Sequence, residues 1–161
     1  MPPLIQSGMP LLPELLNDPT AVKTTDTSRI STVTLAADPD LTVPVIAGAV
    51  YLVNLYAPHT YNAAGDFKIG WTYPSGSTLP NWQARWRTTD GVETSGSFAD
   101  ITSTVAITSA SGSLNQPVWA HGLLTIGALA GQFAFAWAQN TSNANATIVR
   151  AGAVLRLERI A

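Results

Sequence analysis

The side chains able to do chemistry in this chain are few, and their spacing suits little of it. There are two histidines, His59 and His121, and no cysteine. Metal ligands must converge at defined spacings, and neither histidine has a partner at such a spacing. His121 interrupts an apolar stretch and reads as a hydrogen-bonded core or interface residue, while His59 follows Pro58 in a tyrosine-rich loop. Glutamate, the usual acid of a glycoside-cleaving pair, occurs only at positions 14, 93 and 158. Asp38 and Asp40 bracket a proline, and Asp66, Asp90 and Asp100 are scattered; turn initiation accounts for all of them. No phosphate loop, dinucleotide fingerprint or nucleophile motif is present. The expectation is therefore a protein without catalytic residues, cofactor or metal.

Recognition is the chemistry that remains. Sugar sites combine exposed aromatic faces with amide and carboxylate hydrogen bonds, and Tyr56, Tyr61, Trp82 and Trp86 fall in or near expected loops. Trp82 and Trp86 are four apart, so on a strand they share a face. They would make a platform for a glycan, with Asn140 in the polar stretch 139–145 as a further contact; the plainer reading is that both tryptophans cover a core. Asn140-Thr141-Ser142 and Asn145-Ala146-Thr147 fit the N-glycosylation pattern. The N-terminus has neither the basic start nor the cleavage site of a signal peptide, so a plain polar loop is expected there.

The elements that must carry these residues are mostly strands. Residues 30–36, 41–47, 49–56, 66–72, 82–88, 101–109, 117–126, 132–138 and 146–160 are rich in β-branched and aromatic residues or alternate with period two. Turns are expected at Asp38-Pro39-Asp40, Tyr73-Pro74-Ser75-Gly76 and Asp90-Gly91. Pro44 places its strand at an edge or a bulge. The stretch 49–56 is apolar on both faces, as a central or interface strand would be. An all-β fold follows, an antiparallel β-sandwich or jelly roll over residues 29–161.

Residues 1–28 form a proline-rich N-terminal arm in this reading, with one short helical turn. Prolines at 2, 3, 10, 13 and 19 punctuate it, and Leu11, Leu12, Leu15 and Leu16 give it an apolar face. Such an arm either straps its own domain or docks on a neighbouring subunit or particle. Composition favours association, because only 11% of the 161 residues are charged, against about 25% in an ordinary soluble domain. The net charge of -2 comes without a basic block, which argues against nucleic acid, and no apolar run is long enough for membrane insertion.

Four segments in order, 40–47 (DLTVPVIA), 66–76 (DFKIGWTYPSG), 131–140 (GQFAFAWAQN) and 155–160 (LRLERI), resemble a family of small virion proteins. These are minor tail or head-decoration proteins of tailed actinobacteriophages, and the resemblance covers residues 23–161. Gly8, Leu12 and Leu15-Leu16-Asn17 also resemble the N-terminal attachment segments of such proteins. Pro80-Asn81-Trp82 departs from the family, which weakens a binding role for Trp82. The resemblance implies a non-enzymatic particle component assembled in the host cytoplasm, a homotrimer whose partners are major capsid or tail proteins. The alternative is a tail-tip or fibre module that binds a host cell-surface glycan.

Overall fold

A computed structural model describes residues 18–88, 91–108 and 116–161. Leu11, Leu12, Leu15 and Leu16 lie outside the described residues. The described residues form twelve strands and no helix. In chain order the strands are β1 (Thr20–Val22), β2 (Thr27–Arg29), β3 (Ala36–Val45), β4 (Val50–Thr60), β5 (Phe67–Thr72) and β6 (Trp82–Arg87). There follow β7 (Glu93–Phe98), β8 (Val105–Ile107), β9 (Gln116–Thr125), β10 (Gly131–Ala138), β11 (Thr147–Val149) and β12 (Val154–Arg159). A large sheet runs β1-β12-β4-β9-β6-β7, with β11 and β2 continuing beside β4. A small sheet runs β3-β10-β5-β8, and every pairing is antiparallel. The expected all-β sandwich holds.

Alternation along the strands builds the core. Tyr51, Val53, Leu55 and Ala57 of β4 face inward with Val118, Ala120 and Leu124 of β9 and Leu155 and Leu157 of β12. Opposite them the small sheet presents Phe67, Ile69, Trp71, Phe133, Phe135 and Trp137. The layers meet at Trp71 and Trp82, whose rings pack edge to face at 5.6 Å, a favoured aromatic geometry. β4 is a central strand, as its composition suggests, but its two sides differ in burial.

The described part of the expected arm belongs to the sandwich. β1 pairs with β12 and β2 with β11, so residues 18–29 are built into the large sheet. Lys23, just past β1, reaches across to the small sheet and uses all three ammonium protons. They go to Asp38 Oδ1 at 2.9 Å, Asp40 Oδ2 at 2.9 Å and Thr27 Oγ1 at 2.6 Å. Lys23 and Asp38 are fully buried, and Asp38 also accepts the Trp137 indole N–H at 2.9 Å. Buried charge is tolerated where every donor and acceptor finds a partner.

Three expected elements come out differently, and in the first, 101–109, only Val105–Ile107 of the described residues is strand, because the Thr102 and Ser103 N–H groups turn back onto Asp100 Oδ1. Asp38-Pro39-Asp40 does not end a strand; it lies inside β3. Ala134 pairs with Thr42 and Ala136 with Ala37, so residues 38–41 bulge out opposite Phe135 alone. Asp38 Oδ1 accepts the N–H groups of Asp40 and Leu41, the local bonding that makes Asp a turn former. Here it shapes a bulge that turns the carboxylate inward. Residues 30–35 are a strap over the outer side of the small sheet instead of a strand. Leu35 lies over Gly70, where an added Cβ would come within 3.0 Å of its Cδ1. Pro44 sits in edge strand β3, as expected.

Candidate functional site

The outward side of the large sheet is the surface on which functional chemistry collects. Register aligns its side chains into three rows. In the first, Val154, Tyr56, Trp119 and Arg85 run across β12, β4, β9 and β6. In the second, Arg156, Asn54, His121 and Gln83 follow the same strands. In the third, Glu158, Leu52 and Leu123 complete the face. An aromatic row and an aliphatic row are thus separated by a polar one.

The aromatic and polar rows enclose an open depression of about 500 Å³, lined by Asn54, Tyr56, Arg85, Glu93, Trp119, His121, Val154 and Arg156 among others. Tyr56 and Trp119 are 40% and 37% exposed, and their rings lie 5.9 Å apart at 46°. The ladder between β4 and β9, unbroken from Val50–Thr125 to His59–Gln116, sets them side by side. On one rim Arg85 Nη2 bonds Glu93 Oε2 at 2.8 Å, and Arg87 approaches the other oxygen at 3.4 Å. On the opposite rim Arg156 Nη2 bonds Asp18 Oδ2 at 2.9 Å, while the Arg159 backbone N–H donates to Asp18 Oδ1. The bond from Arg85 holds the Glu93 carboxyl below its usual range, and the bond from Arg156 does the same for Asp18. Both acids are therefore ionised at neutral pH. Neither the Asn54 amide nor the His121 imidazole has a hydrogen-bond partner among the described residues, so both are open to a ligand or to water.

A second cluster marks one end of the sandwich. The β3–β4 and β9–β10 connections meet there through the Gly48 N–H and the Gly127 carbonyl, at 2.9 Å. Ile46 and Leu129 are exposed on these loops, and Ile160 beside Val50 is exposed as well. Leu52 and Leu123, paired across β4 and β9, are exposed two residues further in from this end.

The proposed platform residues lie elsewhere. Trp82 is fully buried, its indole N–H donating to the Asp100 carbonyl at 2.9 Å, and it cannot stack on a glycan. Its inward position depends on Gly122, where an added Cβ would lie 2.9 Å from Trp82 Cβ. Trp86 shares that inward side and is half-buried against the core. Asn140 follows β10 of the small sheet, its N–H bonded to the Gly65 carbonyl at 2.9 Å, and the fold does not bring it to either tryptophan. The histidines exchange places relative to expectation. His121 is exposed on the outer face, whereas His59 is fully buried between Phe67 and Tyr61 at 4.3 and 5.5 Å. His59 Nδ1 meets the Ala57 carbonyl at 3.2 Å and Nε2 has no partner. Desolvation pushes its pKa down to about 4, so it is neutral at physiological pH. Among the described residues no three His, Asp or Glu side chains group as metal ligands would.

Trp119 and His121 carried a signal that periodicity alone could not resolve. In the stretch Pro117 to Thr125, both parities are apolar, and the larger side chains turn out to be the outward ones.

No family model and no curated protein matches the sequence. Among solved structures the chain is similar to the tripod (BppUct-A-L) from the baseplate of bacteriophage Tuc2009, with 15% identity and a TM-score of 0.35. That match covers 84% of this chain and 64% of the other, and a likeness of this size assigns neither a family nor a role.

Proposed function

We propose that this chain is a non-enzymatic structural part of a tailed-phage particle. It is a β-sandwich module that self-associates as a trimer and is carried on the virion surface, as a capsid decoration or a minor tail protein. The observation that carries this reading is the aliphatic end, where Ile46, Leu129 and Ile160 are each exposed, with Leu52 and Leu123 exposed two residues further in along β4 and β9. Clustered exposed aliphatics mark contact surfaces, and a chain with 11% charged residues has little else to keep copies apart. Each aliphatic side chain fully buried contributes roughly 1.5–3 kcal/mol before the costs of association. The four sequence segments that resemble virion proteins support the particle assignment. The leucines at 11, 12, 15 and 16 are the attachment contacts in this reading.

Two measurements test it. Light scattering on the purified full chain should give three copies, and Leu129→Asp should shift the protein toward monomer; a monomeric wild type overturns self-association. Quantifying the chain against the major capsid protein on intact particles, with imaging, then separates the two locations. About one copy per capsid subunit means decoration, and a handful at the tail end means a tail role. Absence from particles overturns the assignment. At the tail end the outer face of the large sheet would meet the host surface, and the aromatic depression favours that second reading.

A further inference from the structure

We propose that the depression on the outer face of the large sheet is a binding site for a neutral saccharide, with Tyr56 and Trp119 as its stacking floor and Asn54 and His121 as its hydrogen-bonding wall. This deepens the surface-contact reading above, but it concerns the isolated protein and is tested without particles. Its failure and that of the particle role are therefore read separately.

Four features point to a sugar. A pyranose ring has an apolar C–H face and a polar rim of hydroxyls, and the site repeats that division. Tyr56 and Trp119 offer adjacent exposed ring faces tilted at 46°, a shallow trough able to cradle a ring. Directly beside them on the same two strands, Asn54 pairs across to His121, and neither side chain is hydrogen-bonded among the described residues. An amide both donates and accepts, and an imidazole brings two ring nitrogens to hydrogen bonding, which is what paired hydroxyls need. The volume of about 500 Å³ falls in the range of small-ligand sites, roughly 300–1,000 Å³.

Charge selects among ligands. The two arginines that line the depression are each bonded to an acid, Arg85 to Glu93 and Arg156 to Asp18; Arg87, which also approaches Glu93, is not part of the lining. Neither lining arginine is free to hold a phosphate or carboxylate, which favours a neutral sugar over an anionic one. The same groups disfavour a second copy of this chain on this part of the sheet. A flat apolar contact would bury Asn54 and His121 without partners, at about 1–3 kcal/mol for each orphaned group. The aliphatic end carries Ile46, Leu129 and Ile160 with a charged neighbour, Glu158 opposite Leu52, and remains the proposed surface for self-association.

The test is saturation-transfer NMR and titration on the full-length protein with lactose, maltotriose, mannobiose and diacetylchitobiose. At least one should bind, with the strongest transfer from ring C–H protons. Trp119→Ala should weaken binding about tenfold or more, as loss of an aromatic anchor does. Asn54→Ala should weaken it about fivefold, the loss of one hydrogen bond. Leu129→Ser, at the aliphatic end, should leave affinity unchanged while altering self-association. Failure of all four sugars to bind, or wild-type affinity in a folded Trp119→Ala variant, overturns the proposal. So does protection of Trp119 from N-bromosuccinimide in the sugar-free protein, which would give the depression to another polypeptide segment.

Discussion

The two sides of β4 handle polar groups by opposite rules. Facing in, Tyr51, Val53, Leu55, Ala57 and His59 are buried; facing out, Leu52, Asn54, Tyr56 and Pro58 are partly or fully exposed. Both sides are rich in apolar groups, so hydrophobicity does not distinguish them. Inside, a polar group is either fully partnered, as Asp38 is, or kept neutral, as His59 is. Outside, Asn54 and His121 have no side-chain partner among the described residues and stand beside aromatic rings. The inner polar groups therefore govern stability, and the outer ones are available for recognition.

The sharpest way to break the inner side is at Lys23. Lys23→Ala strands the buried Asp38 carboxylate and should cost about 3–5 kcal/mol in denaturant unfolding. Lys23→Met combined with Asp38→Leu should cost much less, because no fully buried charge is then left alone and Asp40 is partly exposed. An unchanged unfolding midpoint in Lys23→Ala would mean that the cluster is not buried in solution.

His59 supplies the next effect, with a defined pH window. Its folded pKa of about 4 lies below the ordinary 6.5, so protons bind the unfolded chain first. Stability is whole above pH 6.5 and falls as pH drops toward 4, by about 3 kcal/mol over that window. His59→Leu should remove this slope, leaving only that of the carboxylates; a slope identical to wild type would show that His59 is not the group responsible.

On the outer side the expected stability effects are small, which is what makes them informative. On dilute, dissociated protein Leu129→Asp should shift unfolding by no more than about 0.5 kcal/mol, and Trp119→Ala, which gives up the ring contact with Tyr56, by about 1 kcal/mol. The first should lower the mass seen by light scattering, and the second should weaken sugar binding. A large loss of stability in either would erase the distinction between the two sides.

Much of this architecture was legible in the sequence. Alternation placed β5 and β10, and the β-branched and aromatic content placed β4 and β9. Gly76 and Gly91 have the positive φ that their turns require. What could not be read is which side of a strand faces in, when both sides are apolar. A shift of one residue exchanges the faces, and only the partner layer decides between them. That is why Trp82 was a candidate for the surface and Trp119 was not, and why the two histidines exchange environments. Residues 30–35 were misread for a related reason. Their β-branched composition suits a strand, but Gly70 leaves room for Leu35 above the small sheet, and the segment crosses as a strap. Asp38 was read as a turn former because its local bonding is that of a turn. Its partners Lys23 and Trp137 are 15 and 99 residues away, and no local pattern announces them.

The fastening at Lys23 has a mechanical meaning. Tension on the chain ahead of residue 18 would first load the Asp18–Arg156 contact and then the three-residue ladder between β1 and β12. A ladder at a sheet edge peels one bond at a time and resists weakly. Directly behind it, the Lys23 ammonium is gripped by Asp38, Asp40 and Thr27, and its backbone by Gly152 and Ala153. The short strand would act as a zip with a rivet behind it, so a pull applied at residue 18 is stopped before it can open the sandwich.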